Sequence, residues 1–204
     1  MYRFNYFTEQ KNIYLCHNES MVNKEPEKTN WYIITGGPST GKSKTIDHLA
    51  FLGYLIRPEV ARILIDDELS KGRTIEEIRH DDKKFEHQIL KIKIETETIA
   101  PKKDLIFWER GMPDSIVYLK KYKCDFDLAV KLSKDRRYKG IFILDLLPSY
   151  EKDYARTENR QKAKEIHEAL YDCYTELGYN VIRVPVLSIS ERVQFILKNI
   201  NKED

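Results

Sequence analysis

Residues Gly36-Gly37-Pro38-Ser39-Thr40-Gly41-Lys42-Ser43 spell a complete G-x-x-x-x-G-K-S, and no other stretch constrains the chain as much. The motif has a mechanism, and the mechanism dictates its surroundings. Glycines let backbone N–H groups turn inward around phosphate oxygens. The residues that follow must open a helix, whose N-terminus adds partial positive charge. The residues that precede must leave a buried strand. Both conditions are met, by the apolar run WYIIT at 31–35 and by a helical pattern over 42–51. In this reading Gly36, Gly37, Pro38, Ser39, Thr40 and Gly41 form the cradle, and Lys42 reaches the β- and γ-phosphates. The Ser43 hydroxyl is the expected Mg²⁺ ligand, and Thr45 joins the nucleotide-binding set.

The rest of the chain alternates in kind. Short apolar runs recur at 53–56, 105–108, 141–144 and 181–184, with Pro58, Pro148 and Pro185 at or just past three of the run ends. Amphipathic stretches fill the gaps at 59–69, 114–122, 125–134, 158–177 and 190–200. Thr74 and Glu77 form a capping box that predicts one long helix reaching about residue 99, closed by Pro101. Strands alternating with helices predict right-handed crossovers and a parallel sheet covered on both faces. The expected fold is therefore α/β: a P-loop NTPase with a five-stranded parallel sheet, helices on both faces and a kinase-like lid. The 204 residues suit one domain. Residues 30–204 are assigned to it and 1–29 to an N-terminal extension.

Composition removes several alternatives. Thirty-five basic against 33 acidic residues leave +2, so net charge points to neither a nucleic-acid nor a membrane surface. No stretch approaches the roughly 20 apolar residues of a membrane span, and residues 1–29 lack the apolar block of a secretory signal. Three scattered cysteines, Cys16, Cys124 and Cys173, suit a reducing, cytoplasmic setting.

Phosphate loops serve many reactions, so the remaining charges must specify one. Glu109 and Arg110 directly follow the run at 105–108, and ligands of open parallel sheets lie beyond the carboxyl ends of strands. Glu109 is the second expected metal ligand, and Arg110 can grip a phosphate or a substrate hydroxyl. The plainer reading is a solvated pair at a strand end. Glu59, in RPEVAR at 57–62, is placed to accept a proton from an attacking hydroxyl. Its plainer reading is a helix-start glutamate favoured by the dipole. Arg156 and Arg160, four apart in DYARTENR, can close over the transferred phosphoryl group; a salt-bridged surface helix is the competing reading. Asn201-Lys202-Glu203-Asp204 spells N-K-x-D but follows a helical stretch, where guanine reading needs a strand end. The five histidines show no metal-ligand spacing.

With these residues in place, the chain resembles the P-loop family of the NadR nicotinamide-riboside kinase domain and its AAA-domain relatives, and more distantly the deoxynucleoside and thymidylate kinases. The matching segments are TGGPSTGKS at 35–43, RPEVAR at 57–62, FWERGMPDSIVYL at 107–119, DYARTENR at 153–160 and the stretch 178–197. Where relatives carry Asp-Arg-Gly this chain has Glu109-Arg110-Gly111, the Glu-Arg of deoxynucleoside kinases. The resemblance implies Lys42 and Ser43 on Mg²⁺-triphosphate, Glu59 as base, Arg110 on substrate, Arg156 in a lid, and the loop from Val184 past Pro185 beside the nucleotide base.

Together these readings predict a small-molecule kinase that moves the γ-phosphate of ATP or GTP to a hydroxyl of a nucleoside-like acceptor with Mg²⁺. The rival class is a nucleotide-binding regulatory ATPase or GTPase with no acceptor. The expected partners are a nucleoside triphosphate and a small molecule, without nucleic acid, and homodimerisation stays open.

Overall fold

The computed structural model describes residues 25–148 and 159–200. In chain order the elements are β1 (Glu27–Lys28), β2 (Trp31–Thr35), α1 (Lys42–Phe51), β3 (Leu55–Arg57), α2 (Val60–Ser70), α3 (Ile75–Ile78), α4 (Asp82–Ile99) and β4 (Ile106–Glu109). They continue with α5 (Met112–Lys121), α6 (Asp127–Asp135), β5 (Arg136–Arg137), β6 (Gly140–Leu144), α7 (Arg160–Glu176), β7 (Val181–Val184) and α8 (Ile189–Ile200).

Five strands form one parallel sheet in the order β3-β4-β2-β6-β7. The runs are apolar on both sides because helices cover both faces, and residue parity decides which face each side chain enters. Tyr32, Ile34, Phe107, Phe142 and Leu144 pack with Ile46 and Leu49 of α1 and Val193, Ile196 and Ile200 of α8. Trp31, Ile33, Ile106, Trp108 and Ile141 point the other way, onto Tyr138, Tyr174 and Tyr179. Trp31 and Trp108, on adjacent strands, bring their ring centroids to 4.7 Å. The strand leading to the phosphate loop thus lies at the centre, flanked by β4 and β6, which places the loop at the carboxyl edge of the sheet.

Two features depart from the expectation. The long helix predicted from residue 74 is broken. The capping box forms, with the Thr74 N–H donating to Glu77 (2.8 Å) and the Glu77 N–H to the Thr74 hydroxyl (3.2 Å), but α3 ends after one turn. Asp81 then caps α4, its carboxylate accepting from the Lys84 N–H at 3.0 Å. Between them Arg79 turns inward over the Phe85 ring and onto Asp82, which fixes the bend. The second departure is a small parallel ladder, β1 with β5, pairing Glu27 with Arg136 and Lys28 with Arg137. It ties the last part of the stretch read as an extension to the domain. The described helices include none long and apolar enough to cross a membrane.

Candidate active site

Close packing explains why the phosphate loop needs its glycines. A Cβ on Gly36 would lie 2.8 Å from the Leu144 carbonyl, and Gly36 has φ 137°, a region L side chains rarely adopt. A Cβ on Gly37 would meet the Ala163 carbonyl at 2.6 Å. The loop is therefore wedged between β6 and α7. It is also hydrogen-bonded there: the Gly37 N–H donates to Nδ1 of buried His167 on α7 at 3.3 Å. From the other side Arg192 of α8 donates to the Thr40 carbonyl at 2.6 Å.

Lys42 folds over this loop, donating to the Gly37 carbonyl at 2.9 Å. Burial, reinforced by the Arg110 guanidinium, lowers its ammonium pKa to about 8. Ser43 reaches across the sheet edge, and its hydroxyl donates to Glu109 Oε1 at 2.8 Å. Thr45 is buried in α1, with its hydroxyl bonded to the Gly41 carbonyl at 3.0 Å, and does not line the cleft.

Glu59 and Arg110 meet in an ion pair of 2.5 Å, Arg110 Nε to Glu59 Oε1. Glu59 stands at the N-cap of α2, yet its side chain makes no cap bond; it turns to Arg110. Arg110 adopts φ 67°, an uncommon conformation for a long side chain. That backbone swing brings its NH1 to Asp114 (3.0 Å) and to the Gly36 carbonyl (3.3 Å). Asp114 is fully buried and accepts also from the Thr35 hydroxyl (2.7 Å), the Gly111 N–H (3.0 Å) and the Tyr174 hydroxyl (2.6 Å).

The two acids beside Lys42 are driven apart electrostatically. Burial alone would raise the Glu59 carboxyl, but Arg110 and Lys42 hold it down at about 2. Burial and the neighbouring Glu59 charge push Glu109 up. Paired titratable groups with opposite shifts mark a site where the two have different tasks.

Lys42, Ser43, Glu59, Glu109 and Arg110 face one cavity of ≈ 390 Å³. Ser39, Thr40, Gly41, Lys42 and Ser43 line one part, Glu59, Glu109 and Arg110 the middle, and Phe85, Glu86, Ile89, Lys93, Ser115 and Tyr118 the remainder. Gly36, Gly37 and Pro38, which open the loop, are buried and do not line the cavity. Arg160 is exposed in the first turn of α7, and Pro185 is exposed after β7; neither lines the cavity. Arg156 and Asn201 to Asp204 lie outside the described residues. Asp114, Glu86, Lys93, His167 and Arg192 were not singled out from sequence. For two of them a signal existed: Glu86 and Lys93 interrupt the apolar inner stripe of α4 formed by Phe85, Ile89 and Leu90.

The family model for the AAA domain matches residues 31–192. Comparison with curated proteins gives no match. Among solved structures, NadR in complex with NR superposes with a TM-score of 0.57 at 20% identity, over 78% of this chain and 45% of that one. Deoxyadenosine kinase from M. mycoides, bound to dCMP and dCDP, gives 0.60 at 14% identity, over 84% and 99%. Shikimate kinase from Acinetobacter baumannii in complex with shikimate gives 0.54 at 16% identity, over 87% and 95%. The chain spans about half the length of the NadR proteins it matches. These likenesses show a P-loop kinase fold, and with the matched span of the family model they place this chain in the AAA-domain family.

Proposed function

We propose that this member of the AAA-domain family is a small-molecule kinase, transferring the γ-phosphoryl group of ATP or GTP to a hydroxyl of a nucleoside-like acceptor. The observation that supports it best is the continuity of the cavity. It runs from Lys42 and Ser43 past Glu59 and Arg110 into a section walled by Phe85, Ile89 and Tyr118, leaving room for a second molecule beside the phosphates. A regulator without an acceptor has no use for that section.

The division of labour follows from the contacts. The loop N–H groups and Lys42 hold the β- and γ-phosphates. Ser43 and Glu109 present two oxygen donors at 2.8 Å from each other, a set that suits a hard divalent cation. Mg²⁺ held there would neutralise charge on the phosphate oxygens. Arg110, held by Glu59 and Asp114, lines the cavity between the loop and the acceptor section. Glu59 accepts the hydrogen bond of the acceptor hydroxyl and aims its oxygen at the γ-phosphorus. As that O–P bond forms, the bond to the β–γ bridging oxygen breaks and the hydroxyl proton leaves towards Glu59 and solvent. A carboxylate held at about 2 is a weak base, so orientation outweighs proton abstraction. That suits a loose transition state, in which the nucleophile needs little activation. Arg156, in the segment after β6, is assigned to a closing lid.

The test is an acceptor screen. The protein with Mg·ATP or Mg·GTP is offered a panel of nucleosides and other hydroxylated small molecules, and diphosphate release is followed. Release that depends on one compound, with the phosphorylated product seen by mass spectrometry, supports the proposal. Triphosphate binding with the same slow hydrolysis whatever compound is added would favour the regulator.

A further inference from the structure

Glu86 is a buried carboxyl to which the kinase reading gives no task. It sits in the first turns of α4, 6% exposed, in the cavity wall beside Phe85 and Ile89. Glu59, Glu109 and Lys93 in the same wall are each engaged, by Arg110, by Ser43, and by the Gly111 carbonyl with the Ser115 hydroxyl. Glu86 has no hydrogen bond or ion pair to any described residue. Burial makes its ionised form costly, and it lines the space where a second substrate would sit.

We propose that Glu86 selects the acceptor by accepting hydrogen bonds from an uncharged amino group carried on a ring, apart from the hydroxyl that is phosphorylated. This rests on the kinase reading of the cavity. Four cations, Arg79, Lys93, Lys121 and Arg110, act on Glu86 from the turn before α4, from α4, from α5 and from the end of β4, and the Cys124 thiol also feels its charge. Ion pairs of Arg79 with Asp82 and of Arg110 with Glu59 and Asp114 hold the charge around Glu86 near balance, and a neutral N–H donor is the group that fits such a wall. The flanking Phe85, Ile89 and Tyr118 suit a flat ring. Burial, opposed by those cations, raises the Glu86 carboxyl to about 7. At pH 8 it is mostly an acceptor for N–H; at pH 6 it is mostly protonated and can donate to a carbonyl instead.

The experiment uses two pairs of compounds that differ by amino against oxo on one ring: cytidine with uridine, and adenosine with inosine. Each pair shares its reacting hydroxyl, so titration of Glu59 or Lys42 cancels in the ratio of kcat/KM. At pH 8 the protein should favour the amino member of at least one pair by about tenfold or more, and the preference should shrink at pH 6. In Glu86→Gln the amide can donate to the oxo member, so the ratio should fall within about threefold and lose its pH dependence. Glu86→Leu, which removes a costly buried acid, guards against a folding artefact and should discriminate equally little. Retention of the parent ratio in either variant overturns the proposal, as does a parent ratio below threefold in both pairs. If neither these four nor any compound of the wider acceptor screen is phosphorylated while Mg·ATP still binds, the kinase reading fails separately. Calorimetric titration of the same four compounds then reads Glu86 directly. Tighter binding of an amino member by the parent, lost in Glu86→Gln, supports the role. Equal binding of all four compounds, or none, overturns it.

Discussion

Ser43 and Glu109, 66 residues apart, share a hydrogen bond of 2.8 Å across the gap between the phosphate-loop helix and the neighbouring strand. The contact joins the one hydroxyl that opens α1 to an acid whose carboxyl burial and the Glu59 charge push upward. Without a cation, ionised Glu109 is the less comfortable member of a crowded acidic pair.

That crowding predicts opposite effects of Glu109→Gln on stability and on activity. A carboxyl whose folded pKa lies above its unfolded value loses stability as pH rises through that interval, so at neutral pH the ionised form is a burden. The glutamine variant should melt at a higher temperature than the parent at pH 7 without Mg²⁺. It should also need about tenfold more Mg²⁺ or beyond for half-maximal turnover. Melting curves with and without Mg²⁺, beside a metal titration of activity, check both halves. A lower melting temperature in metal-free buffer would contradict the electrostatic account.

Lys42→Ala should leave the fold intact and remove triphosphate affinity or turnover, because the ammonium is the loop's point charge for the β- and γ-phosphates. A pH effect accompanies it. The empty-site pKa of about 8 rises when phosphates arrive, so triphosphate binding near pH 8 takes up a proton. Affinity should therefore weaken as pH climbs above 8. Calorimetry of the parent in buffers of different ionisation enthalpy should detect the uptake.

Asp114 stands behind the site and anchors it. Removing a partner from a buried ion pair typically costs about 3–5 kcal/mol, and Asp114→Ala strands Arg110, Thr35 and Tyr174 together. Chemical denaturation should show a loss of that order, with a melting temperature lower by about 6 °C or more for a domain of this size. The folded pKa of Asp114 is held below its ordinary value despite burial, by Arg110 and Lys93. Its contribution is thus fully present above pH 4 and is lost as pH falls further. The parent should lose stability in acid more steeply than the variant.

The parts legible in sequence were the local ones. Five short apolar runs became five strands, with ends shifted by a residue or two, and the loop from Gly36 to Ser43 followed its strand and opened its helix. Glu59, Glu109 and Arg110 were recognisable because each stands where a strand or helix begins or ends at the sheet's carboxyl edge. Contacts made across the chain were not legible. The Gly37–His167 bond spans 130 residues, and Asp114 gains its importance from Thr35 and Tyr174, which only the fold brings near. The break at residues 79–81 was missed for another reason. Helical periodicity continues through it, and the two competing signals, Asp81 as a cap and Arg79 as an inward cation, act through side chains that a periodic pattern ignores.

The Glu59–Arg110 pair yields the prediction that separates a kinase from a regulator. In Glu59→Gln the amide keeps the size and can still accept a hydrogen bond through its carbonyl, while the charge that pairs with Arg110 is gone. If the carboxylate were the main proton acceptor, phosphotransfer should fall by ~100-fold or more, within the usual range for general-base loss. Its pKa of about 2 makes it a weak base, so the expected loss is nearer ~10-fold and comes from misorientation of the acceptor and of Arg110. At a pKa of about 2 neither role gives an acidic limb between pH 5 and 7, so the size of the loss distinguishes the two. Mg·ATP binding should stay nearly unchanged, since Lys42 and the loop amides carry it. In a regulator Glu59 only decorates the N-cap of α2, and turnover would be indifferent to the change. Steady-state transfer to the acceptor found in the screen, measured from pH 5 to 9 beside nucleotide affinity, decides between them: unaltered kcat would remove Glu59 from the reaction.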